Sequence, residues 1–220
     1  MKSYFIIGTD TDCGKTYATC ALMHCLQAHN HTVMALKPVA SGCQEQTGQL
    51  VSDDALRLQA HNDDVTQSIC PWPLRLPISP HLAAHADGVQ LSAQAIVDYC
   101  KDKTCDSYDC LLIEGAGGLM VPLNETETWI DVLKKSQIPV ILVVGMRLGC
   151  INHALLTMSV LEEHRMSCAG WIANCLDNDM LFLDDNIATL VNKIKAPMLG
   201  IIPYFGHFEK NEFMVYTLLA

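Results

Sequence analysis

The stretch from Ile6 to Cys20, IIGTDTDCGKTYATC, comes close to a phosphate-binding loop and departs from it in one place. Such loops follow G-x-x-x-x-G-K-[ST]. Counting back from Gly14-Lys15-Thr16, the first glycine belongs at position 9. This chain has Thr9 there, and Gly8 one residue too early. Asp10 and Asp12 stand where an anion has to be received. The context is nonetheless right: an apolar run over Tyr4–Gly8 predicts a buried strand, and Lys15–Ala28 predicts a helix. Backbone N–H groups of a loop between them wrap phosphate oxygens, and the helix N-terminus adds partial positive charge. Lys15 reaches the β- and γ-phosphates, and the Thr16 hydroxyl is placed to ligate Mg²⁺. Loop side chains can point away while the N–H groups point in. Asp10, Thr11 and Asp12 are then able to face a second, amine-bearing substrate.

Further along, short apolar runs alternate with helical patterns. Strands are predicted at Tyr4–Gly8, Val33–Lys37, Cys110–Glu114, Val140–Val144, Ala169–Asn174 and Met198–Ile202. Helices are predicted near Lys15–Ala28, Asp53–Ala60, Ala93–Lys101, Asn152–Glu163 and Met180–Lys193. Buried strands with little alternation, separated by helices, predict an α/β fold: a doubly wound, mostly parallel sheet in three α/β/α layers. The 220 residues suit one such domain over 1–220. Ligands of these sheets bind beyond the carboxyl ends of the strands, so the residues there are the ones to examine.

In ALKPVASGC, Lys37 leaves a buried strand and enters a Pro-Val-Ala-Ser-Gly turn. A fixed cation there stabilises charge developing in phosphoryl transfer. In SDDALRL, either Asp53 or Asp54 caps the helix or reaches Mg²⁺; spacing leaves both open. DCLLIEGAGGLMVPL is an apolar strand ending in a carboxylate, Glu114, which is the arrangement that sets an acid beside Mg²⁺. Gly115, Gly117 and Gly118 then let backbone approach a ligand. In SPHLAAH, Ser79 and Pro80 open a helix on which His81 and His85 share a face, but no third metal ligand is evident. Gly149-Cys150-Ile151-Asn152 opens a helix whose free N–H groups suit a carboxylate. Asn174 ends a strand, where its amide either forms a turn or reads an adenine edge.

Composition narrows the class. Half of the residues are apolar and 17% charged, as in a globular chain. A formal net charge of -10 argues against a nucleic-acid partner, which calls for a basic stripe. The apolar run Tyr4–Ile7 is too short for a signal peptide or a membrane span, so a cytoplasmic protein without a membrane partner is expected. The 11 cysteines include no C-x-x-C pair, and Cys100, Cys105 and Cys110, though evenly spaced, straddle a predicted helix end and strand start. They read as reduced, small hydrophobes. Cys13, inside the loop, is a candidate for oxidation.

Taken in order, Gly8-Thr9-Asp10-Thr11 with Gly14-Lys15-Thr16, Lys37-Pro38-Val39-Ala40-Ser41-Gly42, Glu114-Gly115-Ala116-Gly117-Gly118 and Gly149-Cys150-Ile151-Asn152-His153 resemble the dethiobiotin synthetase family. The likeness runs from residue 4 to about residue 203. It implies a ligase of biotin biosynthesis, a homodimer with its active site near the subunit interface. The reaction it implies is ATP- and Mg²⁺-dependent ring closure of 7,8-diaminononanoate with CO₂, through a carbamate and a carbamic-phosphoric anhydride, to dethiobiotin, ADP and phosphate. Carried onto matching positions, the resemblance implies Thr16, Asp54 and Glu114 as Mg²⁺ ligands, and so prefers Asp54 to Asp53. It implies Lys15 and Lys37 on the γ-phosphate and carbamate, and Thr11 and Ser41 on the carbamate or amine end. Nucleotide contacts are implied for Asp12, Cys13, Gly14, Lys15, Thr16, Tyr17, Glu114, Gly117, Asn174 and Pro203. Gly149, Cys150, Ile151 and Asn152, from the neighbouring subunit, would grip the substrate carboxylate. Some members add a tyrosine after the adenine-reading Asn; Cys175–Lys195 contains none, so the grip on the tail is expected to differ. No nucleotide contact is assigned to Tyr204–Ala220.

Other readings compete, among them a structural dimerisation domain that has lost catalysis, which the intact Lys15, Thr16, Lys37 and Glu114 make least favoured. A glutamine-dependent P-loop amidoligase needs an attached glutaminase domain, for which 220 residues leave no room. Membrane-partitioning and electron-transfer ATPases carry a second lysine five residues before the loop lysine, where this chain has Asp10. The main alternative is a nucleotide-binding regulatory module without diamine chemistry; Lys37 and Ser41 in their setting favour the enzyme.

Overall fold

In the strand Val140–Met146 every residue is buried, and five of seven are in Lys2–Gly8. Strands apolar on both faces must be covered by helices on both sides, which is what a parallel sheet with crossover helices provides. The computed structural model describes residues 1–62, 68–103, 107–204, 213 and 218. In chain order its elements are β1 (Lys2–Gly8), α1 (Lys15–Ala28), β2 (Val33–Leu36), β3 (Val39–Ala40), β4 (Gln44–Gln46), β5 (Gln49–Val51) and α2 (Asp53–Gln59). Then come β6 (Trp72–Pro73), α3 (Pro80–Ala86), α4 (Ala93–Asp102), β7 (Cys110–Gly118), α5 (Trp129–Ser136) and β8 (Val140–Met146). The last are α6 (Cys150–Glu163), β9 (Cys168–Cys175), α7 (Leu183–Lys193) and β10 (Met198–Ile202).

The main sheet has six parallel strands in the order β10-β9-β8-β1-β7-β2. The chain passes from β1 outward to β2, returns to insert β7 beside β1, then crosses to β8 on the other side. The order therefore reverses at β1. The crevice of such a switch point lies at the ends of the two strands flanking it, here β7 and β8. Ile6 is opposite Glu114 and Gly8 opposite Gly118, so the loop after β1 and the glycine segment of β7 emerge side by side.

The predicted strands and helices are present, with instructive differences at their ends. β7 continues through the glycines to Gly118 instead of turning after Glu114, because Gly118 pairs with Gly8. α6 starts at Cys150, two residues earlier than expected, with Gly149 in the left-handed region at φ 96° as its N-cap. α7 starts at Leu183, since Phe182 takes φ 55° and cannot continue a right-handed helix. α5 was not expected. It has only eight residues, and Thr128 and Asp131 form a capping box at its start. Its Trp129 is fully buried against Phe5, 5.7 Å between ring centroids, and its indole N–H donates to the Ala116 carbonyl at 2.8 Å. A helix outside the sheet thus pins the glycine segment of β7. The short pairs β3–β6 and β4–β5 were also missed, at two and three residues each.

The ten described cysteines are all free. Burial pushes the thiols of Cys70, Cys100 and Cys110 up to about 12, so they stay protonated and pack as small hydrophobes. Cys105 lies outside the described residues. No helix among the described residues is long and apolar enough to cross a membrane.

β2 is an edge strand, and a side chain closes its outer side. The Asn62 amide accepts from Ala35 N–H at 2.7 Å and donates to the Ala35 carbonyl at 3.1 Å, all of it buried. Asn62→Ala would leave two buried backbone groups unpaired. The expected cost is about 2 kcal/mol, read as a fall of roughly 4–8 °C in Tm for a chain of this size. An unchanged Tm would show that the bridge carries no weight.

Candidate functional site

The loop after β1 shows why its first glycine is displaced. A Cβ at Gly8 would lie 2.4 Å from Cys13 Sγ and 3.0 Å from Lys15 Nζ, so the close approach occurs at position 8. Thr9 continues the strand: its N–H donates to the Val143 carbonyl at 3.0 Å, and its hydroxyl accepts from Gly145 N–H at 3.4 Å. The turn itself is made by Asp12 and Gly14, at φ 56° and 83°. At Gly14 no side chain fits, since a Cβ would meet Asn174 Nδ2 at 2.0 Å. Lys15 folds back and donates to the Asp10 carbonyl at 3.1 Å.

Asp10 meets a cation of this chain. Its carboxylate is ion-paired with Arg147, which precedes α6, and it accepts the Thr11 N–H at 2.8 Å. Its charge is compensated at the β8 end of the crevice. Cys13 is 1% exposed, with its sulfur beneath Gly8 and its Cβ and Cα against the position of a Gly145 side chain. Burial removes it as an oxidation site.

Beside the loop a cleft of about 740 Å³ opens at the ends of β1, β2 and β7. It brings together Thr11, Asp12, Gly14, Lys15, Thr16, Tyr17, Lys37, Ser41, Asp54, Glu114 and Gly117. At its floor lies a buried charge cluster. Lys37 Nζ is 2.5 Å from Glu114 Oε1 and 3.1 Å from Asp54 Oδ2. Glu114 is wholly buried and Lys37 is nearly so. The Thr16 hydroxyl donates to Glu114 Oε1 at 2.7 Å, and the Thr19 hydroxyl lies 3.0 Å from Oε2. Burial alone would push the Lys37 pKa down; the carboxylates of Glu114 and Asp54 outweigh it and hold the ammonium above its ordinary value. Burial likewise works to raise Asp54, and Lys37 outweighs it, leaving that carboxyl below its ordinary range. Lys37 therefore stays charged at neutral pH. Thr16, Asp54 and Glu114 offer an all-oxygen donor set already poised on a positive charge, which fits a hard divalent cation such as Mg²⁺.

Ser41 Oγ is buried with no hydrogen-bond partner among the described residues and lines the cleft. A hydroxyl in that position is available to a ligand in the cleft. The opposite wall is Pro77, Ile78, Ser79 and Pro80. Ser79 precedes α3 as expected but makes no side-chain cap. No group of three or more His, Cys, Asp or Glu among the described residues could hold a metal ion, so the His81–His85 pair stays without further ligands.

The remaining sequence-derived residues lie outside this cleft. Asn174 sits behind the loop, 4% exposed, and its amide donates to the Cys13 carbonyl at 2.9 Å. Pro203 follows β10, whose Ile202 pairs with Asn174. Gly149, Cys150, Ile151 and Asn152 form the first turn of α6. Next to that helix lies a second groove of about 380 Å³, lined by Thr11, Met120, Leu156 and Val160 among others. Sequence reasoning missed Arg57 and Thr19. Both stand three residues beyond a flagged residue on the same helix, Asp54 and Thr16, and that spacing was the available signal.

A family model described as an AAA domain matches residues 2–211. Among solved structures, the signal recognition particle receptor FtsY of Elizabethkingia anophelis aligns with a TM-score of 0.57 at 13% identity, covering 99% of this chain and 61% of that one. A ParA family ATPase of Chlorobium tepidum aligns at 0.56 and 13%, covering 92% and 85%. At such identities the likeness is one of fold alone, a parallel sheet covered by helices. The curated relatives are much nearer. The ATP-dependent dethiobiotin synthetase of Legionella pneumophila (strain Corby) is 53% identical over 206 residues, 94% of this chain and 95% of the relative. That of Cellvibrio japonicus is 43% identical over 92% of this chain and 89% of its own. With sequence identity of this extent and coverage near complete on both sides, the chain belongs to the ATP-dependent dethiobiotin synthetase family.

Proposed function

We propose that this chain, acting as a single domain over residues 1–220, closes the ring of 7,8-diaminononanoate with CO₂ at the expense of ATP, giving dethiobiotin, ADP and phosphate. The observation that carries the reading is the convergence of Lys15, Lys37, Glu114, Asp54 and the orphaned Ser41 hydroxyl in one cleft beside a phosphate-binding loop. One amine of the substrate takes up CO₂ as a carbamate and loses a proton. A carbamate oxygen attacks the γ-phosphorus of ATP and ADP leaves. The second amine then attacks the carbonyl carbon of the mixed anhydride, expels phosphate and closes the cyclic urea.

The residues divide this work. The loop N–H groups from Asp12 to Tyr17 receive the phosphates. Lys15 and Lys37 hold the γ-phosphoryl and carbamate oxygens, where charge builds in the transition state and fixed cations accelerate most. Thr11 and Ser41 hydrogen-bond the carbamate or the amine. Thr16, Asp54 and Glu114 would hold Mg²⁺, which neutralises charge on the phosphate oxygens when bound. Gly117 approaches the nucleotide, and Asn174 and Pro203 receive the base. One Asn174 N–H is already committed to the Cys13 carbonyl, and the amide has a second N–H and an oxygen to offer the base.

The substrate tail is proposed to reach a second copy of the chain, whose Gly149–Asn152 turn takes the carboxylate. An exposed apolar surface beside that turn supports a homodimer: Leu148 is 97% exposed, and Met120 and Leu156 line the neighbouring groove. A cytoplasmic setting, with no nucleic acid or membrane partner, suits the acidic composition and the protonated buried thiols.

Purified protein with ATP, Mg²⁺ and bicarbonate should release phosphate only when 7,8-diaminononanoate is added, with dethiobiotin in equal amount. Release that ignores the diamine would replace this reading with a nucleotide-binding regulatory module. Lys37→Gln should keep ATP affinity within about threefold and lower turnover roughly 100-fold or more; a melting curve checks that the variant folds. Unchanged turnover would remove Lys37 from the reaction.

A further inference from the structure

Between Gly8 and Thr16 the phosphate loop carries two acids, Asp10 and Asp12, against one lysine, Lys15. On its own the loop is net negative where it has to receive an anion. A cation from outside the loop corrects the balance. The Asp10 carboxylate is ion-paired with Arg147 and accepts the Thr11 N–H at 2.8 Å. Arg147 stands between β8 and α6, and its carbonyl accepts the Cys150 N–H at 2.9 Å, so its backbone is held on both sides. The Asp10 carbonyl in turn accepts from Lys15 Nζ at 3.1 Å. A phosphate that meets Lys15 is therefore inside the ~10 Å over which charges act through 0.1 M salt.

Stability does not account for the pair. Its side chains are 40% and 42% exposed, and ion pairs that open to water contribute little to folding. Arg147 is not among the residues that line the cleft, so it is not placed to grip a nucleotide itself. We propose that Arg147 is a positioning residue for nucleotide binding: it neutralises Asp10, and so keeps the phosphate loop able to hold a nucleoside di- or triphosphate. It acts through Asp10. The inference rests on the reading of Asp12–Tyr17 as the segment that receives the phosphates.

The test is calorimetric binding of ADP at low ionic strength, with a melting curve for each variant. Arg147→Gln should weaken ADP about five- to tenfold and leave Tm within about 2 °C of wild type. Added salt should shrink that difference, because it screens the unpaired carboxylate. Asp10→Asn should bind at least as tightly as wild type, and Asp10→Asn combined with Arg147→Gln should return to within about twofold of Asp10→Asn alone. Binding by Arg147→Gln within about twofold of wild type, or by Arg147→Met should the first variant not fold, overturns the proposal. A double variant as weak as Arg147→Gln overturns it too, since the loss would then not pass through the charge of Asp10. Wild-type protein that binds no adenine nucleotide would sink the loop reading, and Arg147 with it. Nucleotide binding that is indifferent to Arg147 would leave the loop reading standing and remove only the role of Arg147.

Discussion

The Lys37–Glu114 ion pair lies 2.5 Å long in a site that water hardly reaches, and the surrounding architecture serves to make it tenable. Taking two charges out of water costs several kcal/mol per ion in effect, about what their attraction returns in good geometry. Such a pair is poor material for stability alone. It persists here because its remaining valences are met: Asp54 adds a second carboxylate to the ammonium, and Thr16 and Thr19 supply hydroxyls to the carboxylate. The partners come from four places in the chain, with Lys37 following β2, Glu114 within β7, the threonines on α1 and Asp54 on α2. The sheet order that places β7 between β1 and β2 is what brings them together. The cluster holds a fixed cation and two carboxylates ready in a low-dielectric cleft, as phosphoryl transfer requires.

The odd phosphate loop follows from the same constraint. With β7 packed against β1 through Gly8 and Gly118, the close approach falls at Gly8, and Thr9 is left to extend the strand and bond β8. The acidic residues are not an obstacle to an anion. Asp10 is turned to Arg147, and Asp12 adopts the left-handed conformation that turns the loop.

The fold was legible because buried parallel strands have an unambiguous pattern. Val140–Val144 and Met198–Ile202 could be read from apolar runs alone. Elements that lack such a run were not: α5 was missed despite Thr128 and Asp131, and β3 with β6 are signalled only by tertiary pairing. In the cleft, strand-end residues such as Lys37 and Glu114 were visible since their chemistry contradicts an apolar run. Thr19 and Arg57 sit inside helices where a polar residue carries no such contradiction. Asn174 was legible as a strand-end amide, but its bond to the Cys13 carbonyl depends on the loop lying against β9, which no local pattern encodes.

The measurement that bears most directly on the account is the fate of oxygen from CO₂. The protein would be supplied with ¹⁸O-labelled bicarbonate, ATP, Mg²⁺ and 7,8-diaminononanoate for less time than the label takes to exchange with water. If a carbamate oxygen attacks the γ-phosphorus and later leaves with it, the released phosphate carries one labelled oxygen and the cyclic urea retains the other. Phosphate free of label, with label confined to the urea, would mean that ATP is cleaved by water and that the cleft does not join the carbamate to the phosphoryl group.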